Sequence, residues 1–160
     1  MFLSDYQYIW QENMKNQTVS IGADHAGFLL KEKIRGFLKE KGIESIDRGC
    51  YSEERADYPD FAHLVASDVL GGASNLGILV CGSGNGISIS ANKHKGIRSA
   101  VCWKSELAAL ARQHNNANVI ALPARFIDEK EAYACIEAFL SATFEGGRHQ
   151  VRVDKMEAGC

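Results

Sequence analysis

The sequence predicts a three-layer αβα domain, with helices on both faces of a five-stranded parallel sheet that is Rossmann-like and in flavodoxin-like strand order. Three observations carry this expectation. Short apolar runs alternate with helix-period segments five times along the chain, the pattern of βα units joined by right-handed crossovers. The run Leu76-Gly77-Ile78-Leu79-Val80-Cys81 contains no charged or hydroxyl side chain, as a strand covered on both faces requires. That run ends in Gly82-Ser83-Gly84-Asn85-Gly86, and open α/β sheets hold their ligands at such strand-end turns.

The elements follow in order. Thr18 to Ala23 reads as strand one, and Asp24-His25-Ala26-Gly27 leads into a helix whose apolar face is Phe28, Leu29, Leu30, Ile34, Phe37 and Leu38, stopped by Gly42. Ile43 to Asp47 is strand two. Arg48 to Pro59 is a polar loop before a helix from Phe61 to Leu70, and Gly71-Gly72 ends it. His63 within that helix and His94 in the turn 93–96 read as solvated residues without a role. Strand three and the glycine loop come next, with a helix to about Asn92. Arg98 to Cys102 is strand four, Ser105 to His114 an alanine- and leucine-rich helix, and Asn118 to Leu122 strand five. Pro123-Ala124-Arg125 is the exit loop, Asp128 to Phe144 a helix, and Gly146-Gly147 introduces Arg148 and Arg152, four apart and so on one helical face. In the strand order 2-1-3-4-5, the switch point falls between strands one and three. The Asp24-His25 and Cys81 loops then form two lips of one crevice.

At 160 residues the chain suits one domain, residues 18–160, behind an N-terminal extension, residues 1–17. Asp5 and Glu12 interrupt the apolar residues of that extension, so it lacks the basic region and unbroken apolar core of a secretion signal. A formal charge of −2 gives no basic surface for nucleic acid or an anionic membrane. No apolar run approaches the ~20 residues of a membrane span. The cysteines at 50, 81, 102, 135 and 160 are odd in number and contain no C-x-x-C. They suggest neither a disulfide framework nor a zinc site, and they fit a reducing cytoplasm.

Chemistry concentrates at the glycine loop. Glycines let backbone N–H groups converge on one point, and the following helix start adds partial positive charge there. An anion is therefore welcome beside Cys81, and a thiol so placed is favoured as thiolate, a base or nucleophile rather than an inert core residue. A dinucleotide site would need G-x-G-x-x-G with an acidic strand end about twenty residues on; neither is present. Gly22 and Gly27 have P-loop spacing, but Phe28-Leu29 stands where Lys-Ser/Thr is required. Cysteine phosphatase chemistry would want C-x5-R, and position 87 is Ile. A non-catalytic phosphosugar- or nucleotide-binding module would use the anion nest and arginines without pairing a thiol with an imidazole. Gln113-His114-Asn115-Asn116 at a helix end fits capping and a site equally. Arg148 and Arg152 offer two adjacent guanidinium forks suited to a phosphate dianion.

Taken together, Gly22-Ala23-Asp24-His25-Ala26-Gly27, Asp57-Tyr58-Pro59, Cys81 to Ile89, Ala91-Asn92-Lys93, Arg112-Gln113-His114-Asn115 and Glu145 to Gln150 resemble ribose-5-phosphate isomerase type B, within the family that also holds the galactose-6-phosphate isomerase subunits. The resemblance runs from about Thr18 to Met156. It implies interconversion of ribose 5-phosphate and ribulose 5-phosphate without metal or organic cofactor. It also implies a homodimer, or a tetramer of such dimers, whose active sites are shared between subunits. Carried to matching positions, it makes Cys81 the base that moves a proton between C1 and C2. Ser83 and the amides of Gly82, Gly84, Asn85 and Gly86 hold the enediolate oxygen, with Asp24 and Tyr58 beside the sugar. His114 opens the furanose ring, Asn115 holds hydroxyls, and His25, Arg125, Arg148 and Arg152 bind phosphate. The sequence departs from the family pattern in three places. Asn85-Gly86 offers no carboxylate base, which selects the cysteine subgroup. Ser83 stands where many members have Thr. Leu122-Pro123-Ala124-Arg125 replaces a glycine-containing turn. An isomerase of a six-carbon phosphosugar, allose or galactose 6-phosphate, is the alternative within the family.

Overall fold

The computed structural model describes residues 17–159; the expected extension 1–17, apart from Gln17, lies outside the described residues, as does Cys160. Along the described chain run β1 (Thr18–Ala23), α1 (Phe28–Glu40), β2 (Glu44–Asp47), α2 (Tyr58–Gly71), β3 (Leu76–Cys81), α3 (Asn85–Ala91), β4 (Ser99–Val101), α4 (Ser105–Asn115), β5 (Val119–Pro123), α5 (Glu129–Ser141) and α6 (Arg148–Ala158). All strand pairs are parallel. α2 starts three residues before the expected Phe61, because Pro59 falls in its first turn, where a fixed φ and a missing N–H cost nothing.

The sheet order is β2-β1-β3-β5-β4, which corrects the expected 2-1-3-4-5. Burial explains the exchange. Every residue of β5 is buried, whereas the three residues of β4 are only half-buried. A continuous apolar strand belongs inside a parallel sheet, and a short polar-flanked one belongs at its edge. The switch point between β1 and β3 survives the correction, since those two strands remain neighbours.

Alternation along the strands separates two apolar layers. Ile21, Ile78, Val80, Ile120 and Leu122 pack with Ile34, Leu38, Ile136 and Phe139 on the face carrying α1, α4 and α5. Leu79, Cys81, Val119 and Ala121 pack with Ala62, Val65, Ile87 and Ala91 on the face carrying α2 and α3. One polar group ties the second layer to the sheet margin. Asp68 on α2 accepts from Ser20 Oγ at 2.6 Å and, bidentately, from Arg48 at 2.6 and 2.7 Å. The Arg48 guanidinium holds the Asp68 carboxyl below the usual carboxylate range.

Two features position the site. A β-carbon at Gly27 would overlap the Val80 carbonyl, so only glycine lets the start of α1 press against β3. The Asp24 N–H also donates to that carbonyl, at 3.2 Å. The second feature is direction. A helix between parallel strands runs back along the sheet. α4 therefore begins near the carboxyl edge and delivers His114 and Asn115 to the opposite edge, just before β5.

Candidate active site

The carboxyl ends of β1, β3 and β5 surround a cavity of about 510 Å³ lined by Asp24, His25, Tyr58, Cys81, Gly82, Ser83, Gly86 and Arg125, together with residues of the 55–57 loop and Phe126. Cys81, the last residue of β3, is buried, and the Gly84 N–H donates to its sulfur at 3.2 Å. Gly84 makes this contact with φ +76, a left-handed conformation that favours glycine, and it caps α3. The sulfur thus sits in the glycine turn at a helix start, faced by a backbone N–H.

Around the sulfur, each predicted neighbour has an identifiable support. The buried Asp24 accepts from the Gly27 N–H at 3.0 Å, which folds the β1 exit loop back on itself. His25 Nδ1 lies 3.1 Å from the Ala56 carbonyl and 3.3 Å from its N–H, so the ring is anchored to the loop 51–57. The Tyr58 ring covers Gly86 so closely that a β-carbon there would lie 2.6 Å from Cζ. Ser83 Oγ is 3.3 Å from the Asn85 N–H, which donates to it. The Pro123 turn does not misdirect Arg125. The Ala124 N–H donates to the Cys81 carbonyl at 2.9 Å and the Arg125 N–H to that of Gly82 at 3.1 Å, and the guanidinium packs over Gly82.

Gly84 and Asn85 support the turn without lining the cavity, and His114, Asn115, Arg148 and Arg152 do not reach it in this chain. Those four lie at the opposite edge of the sheet. Asn115 borders a second cavity of about 370 Å³ with Asn92, His94, Arg98 and Met156. His114 stacks on His149 with ring centroids 4.1 Å apart and planes 6° from parallel. Glu145 Oε2 lies 3.8 Å from His114 Nε2 and 3.6 Å from His149 Nε2. Burial, with the positive charges of His114 and Arg148 beside it, pushes the His149 imidazole below its ordinary range. Neither Arg148 nor Arg152 is ion-paired among the described residues; Arg148 Nε donates to His149 Nε2 at 3.4 Å.

Sequence reasoning passed over several of these residues. Arg55 and Phe126 line the first cavity but stand in loops, where no periodicity marks them. Glu145 and His149 join His114 only because the Glu145 N–H donates to the Gln113 carbonyl. His63 and His94 are not simply solvated, since Nδ1 of one lies 2.7 Å from Nε2 of the other.

Comparison with known proteins places this arrangement. Residues 19–156 match the Ribose/Galactose Isomerase family. Ribose-5-phosphate isomerase B of Escherichia coli K12 is 49% identical over 140 residues, covering 88% of this chain and 94% of that protein. The crystal structure of a ribose 5-phosphate isomerase from Thermotoga maritima superposes with a TM-score of 0.88 at 47% identity, covering 89% of this chain and 99% of that one. Ribose-5-phosphate isomerase B from Mycoplasma genitalium, solved with bound ribulose-5-phosphate, superposes with a TM-score of 0.85 at 45% identity, over 89% and 95% of the two chains. With a family match spanning nearly all of its described residues and relatives this similar, the chain belongs to the ribose/galactose isomerase family.

Proposed function

We propose that this protein interconverts D-ribose 5-phosphate and D-ribulose 5-phosphate, as an aldose–ketose isomerase of the pentose phosphate pathway acting in the cytoplasm. The observation that carries the reading is Cys81 Sγ, held by the Gly84 N–H at 3.2 Å on the wall of a crevice it shares with Asp24, Tyr58 and Arg125. Aldose–ketose exchange needs one base that removes a proton next to a carbonyl and returns it one carbon away. It also needs donors aimed at the oxygen that becomes negative. The Cys81 thiolate takes the proton from C2 of the aldose, electrons move into the C1 carbonyl, and the enediolate oxygen rests on Ser83 and the glycine-turn amides. The hydroxyl proton on O2 passes to O1, the C2 carbonyl forms as the double-bond electrons take back the carbon-bound proton from Cys81 at C1, and the ketose leaves with no redox partner or organic cofactor consumed.

His114, Asn115, Arg148 and Arg152 act in a partner's site. A two-fold dimer brings the helix-end cluster of one chain to the carboxyl edge of the other and completes two sites at once. His114 then opens the furanose ring, Asn115 holds hydroxyls, and Arg148 and Arg152 join His25 and Arg125 around the phosphate. Names of relatives from two organisms support ribose 5-phosphate over the six-carbon alternative. The test is a comparison of kcat/KM for ribose 5-phosphate and allose 6-phosphate with the purified protein. Ribose 5-phosphate is expected to be the better substrate; preference for allose 6-phosphate would overturn the assignment.

A further inference from the structure

The one cluster of metal-ligand side chains among the described residues lies outside the crevice. His114, Glu145 and His149 each present a ligand atom, and the three atoms lie within 4.8 Å of one another. We propose that these residues bind a divalent transition-metal ion of the zinc type, and that occupation switches the enzyme off by taking His114. The donor set is two imidazoles and a carboxylate, which suits Zn²⁺, Co²⁺ or Ni²⁺ and not the all-oxygen preference of Mg²⁺ or Ca²⁺. Ligands bound at ~2.0–2.1 Å in a tetrahedron stand ~3.4 Å apart. The two nitrogen-to-carboxylate separations, 3.6 and 3.8 Å, are only a few tenths longer. The fourth position is left for water.

The cluster is preorganised on its buried side. The His149 side chain is only 6% exposed, and it sits in the first turn of α6. Gly146 and Gly147, with φ +64 and +55, turn the chain so that Glu145 comes back over it. Two adjustments are required on the exposed side. Lone pairs lie in the imidazole planes, so one of two parallel rings must tilt to share an ion; His114, on the last turn of α4 and 35% exposed, is the ring with room to do so. Arg148 Nε must also leave the His149 lone pair that the ion needs, a contact already long at 3.4 Å. Arg148 is exposed and can swing away. Binding would thus remove an imidazole and displace a phosphate-binding arm together. The inhibitory consequence rests on the role given to His114 above, whereas the binding itself does not.

The experiment titrates Co²⁺ into the chelator-treated full-length protein and follows visible absorption. One Co²⁺ per chain is expected, with the weak d–d bands of nitrogen and oxygen ligation and no intense thiolate-to-metal band. Glu145→Gln, a change at a half-exposed position, and His149→Gln should each weaken binding at least ~10-fold, while Cys81→Ser should not. In parallel, Zn²⁺ should inhibit the wild-type protein reversibly on adding EDTA, and Glu145→Gln should need at least ~10-fold more Zn²⁺ for the same inhibition. A thiolate band, no saturable binding, or equal affinity in the Glu145 and His149 variants would overturn the site. Binding lost in both variants without Zn²⁺ inhibition of the wild type would leave the site standing and overturn the switch.

Discussion

At the carboxyl edge of the sheet the candidate functional groups stand on strand ends and the loops that leave them: Asp24 and His25 after β1, Cys81 closing β3, Arg125 after β5. At the opposite edge they stand on helix ends: His114 and Asn115 on the last turn of α4, Arg148 and Arg152 on the first turns of α6. The first group is tied down by backbone hydrogen bonds to neighbouring strands and shares one cavity. The second is largely exposed around the buried His149 and shares no cavity with the first. The difference is between groups the sheet gathers into one cavity and groups that helix ends hold away from it. On the reading proposed here, one chain holds half of each of two sites.

The sharpest break comes from removing one group at each edge. Cys81→Ala and His114→Ala should each lower kcat by ~10²–10⁴-fold, the usual worth of a general acid or base, with circular dichroism and thermal melting near wild type. A His114→Ala enzyme of normal kcat would reduce the helix-end group to capping, and a Cys81→Ala enzyme of normal kcat would remove the base from the strand-end group. A smaller effect separates anchoring from chemistry. Arg148→Ala should raise KM roughly 10- to 100-fold, the range of a lost charge-assisted contact, and leave kcat within a few-fold. Steady-state kinetics in which kcat fell while KM held would mean that the arginine works on the reacting carbons. The smallest signal is the most discriminating. Two-fold mixing of Cys81→Ala and His114→Ala chains should return about a quarter of the sites to wild-type composition, because half the dimers are mixed and one of their two sites carries neither change. Activity that stayed at the level of the single variants, with subunit exchange shown by differently tagged chains, would place both residues in the site of one chain.

Much of the carboxyl edge was legible because its signals are local. An apolar run, a glycine turn and an Asp-His pair directly after a strand each report their own position, and the switch point joined them. Strand order was read less well. The relevant signal was present in Val119-Ile120-Ala121-Leu122, wholly apolar and so interior, set against Arg98-Ser99 at the start of the other strand. The helix-end cluster is a different case. Glu145 and His149 meet His114 across a non-local contact between two loops and a helix end, and no spacing in the chain encodes it. Arg55 and Phe126 were missed for a related reason: loops carry no periodicity, so their side chains are placed only by what surrounds them.

The glycine at position 27 sets how this enzyme can be altered. With the start of α1 seated on Val80, and the Asp24 N–H on the same carbonyl, the lip bearing Asp24 and the strand bearing Cys81 form one rigid jaw. Their spacing is a fixed gauge that a longer or shorter sugar does not stretch. The opposing jaw, made of the loop with Arg55 to Asp57 and of Phe126, is held to that lip through the His25 ring on Ala56 and not by close-packed backbone. An engineer seeking a new sugar would therefore redraw residues 55 and 126, changing what fits while leaving the seating of Asp24 against the Cys81 strand as it is.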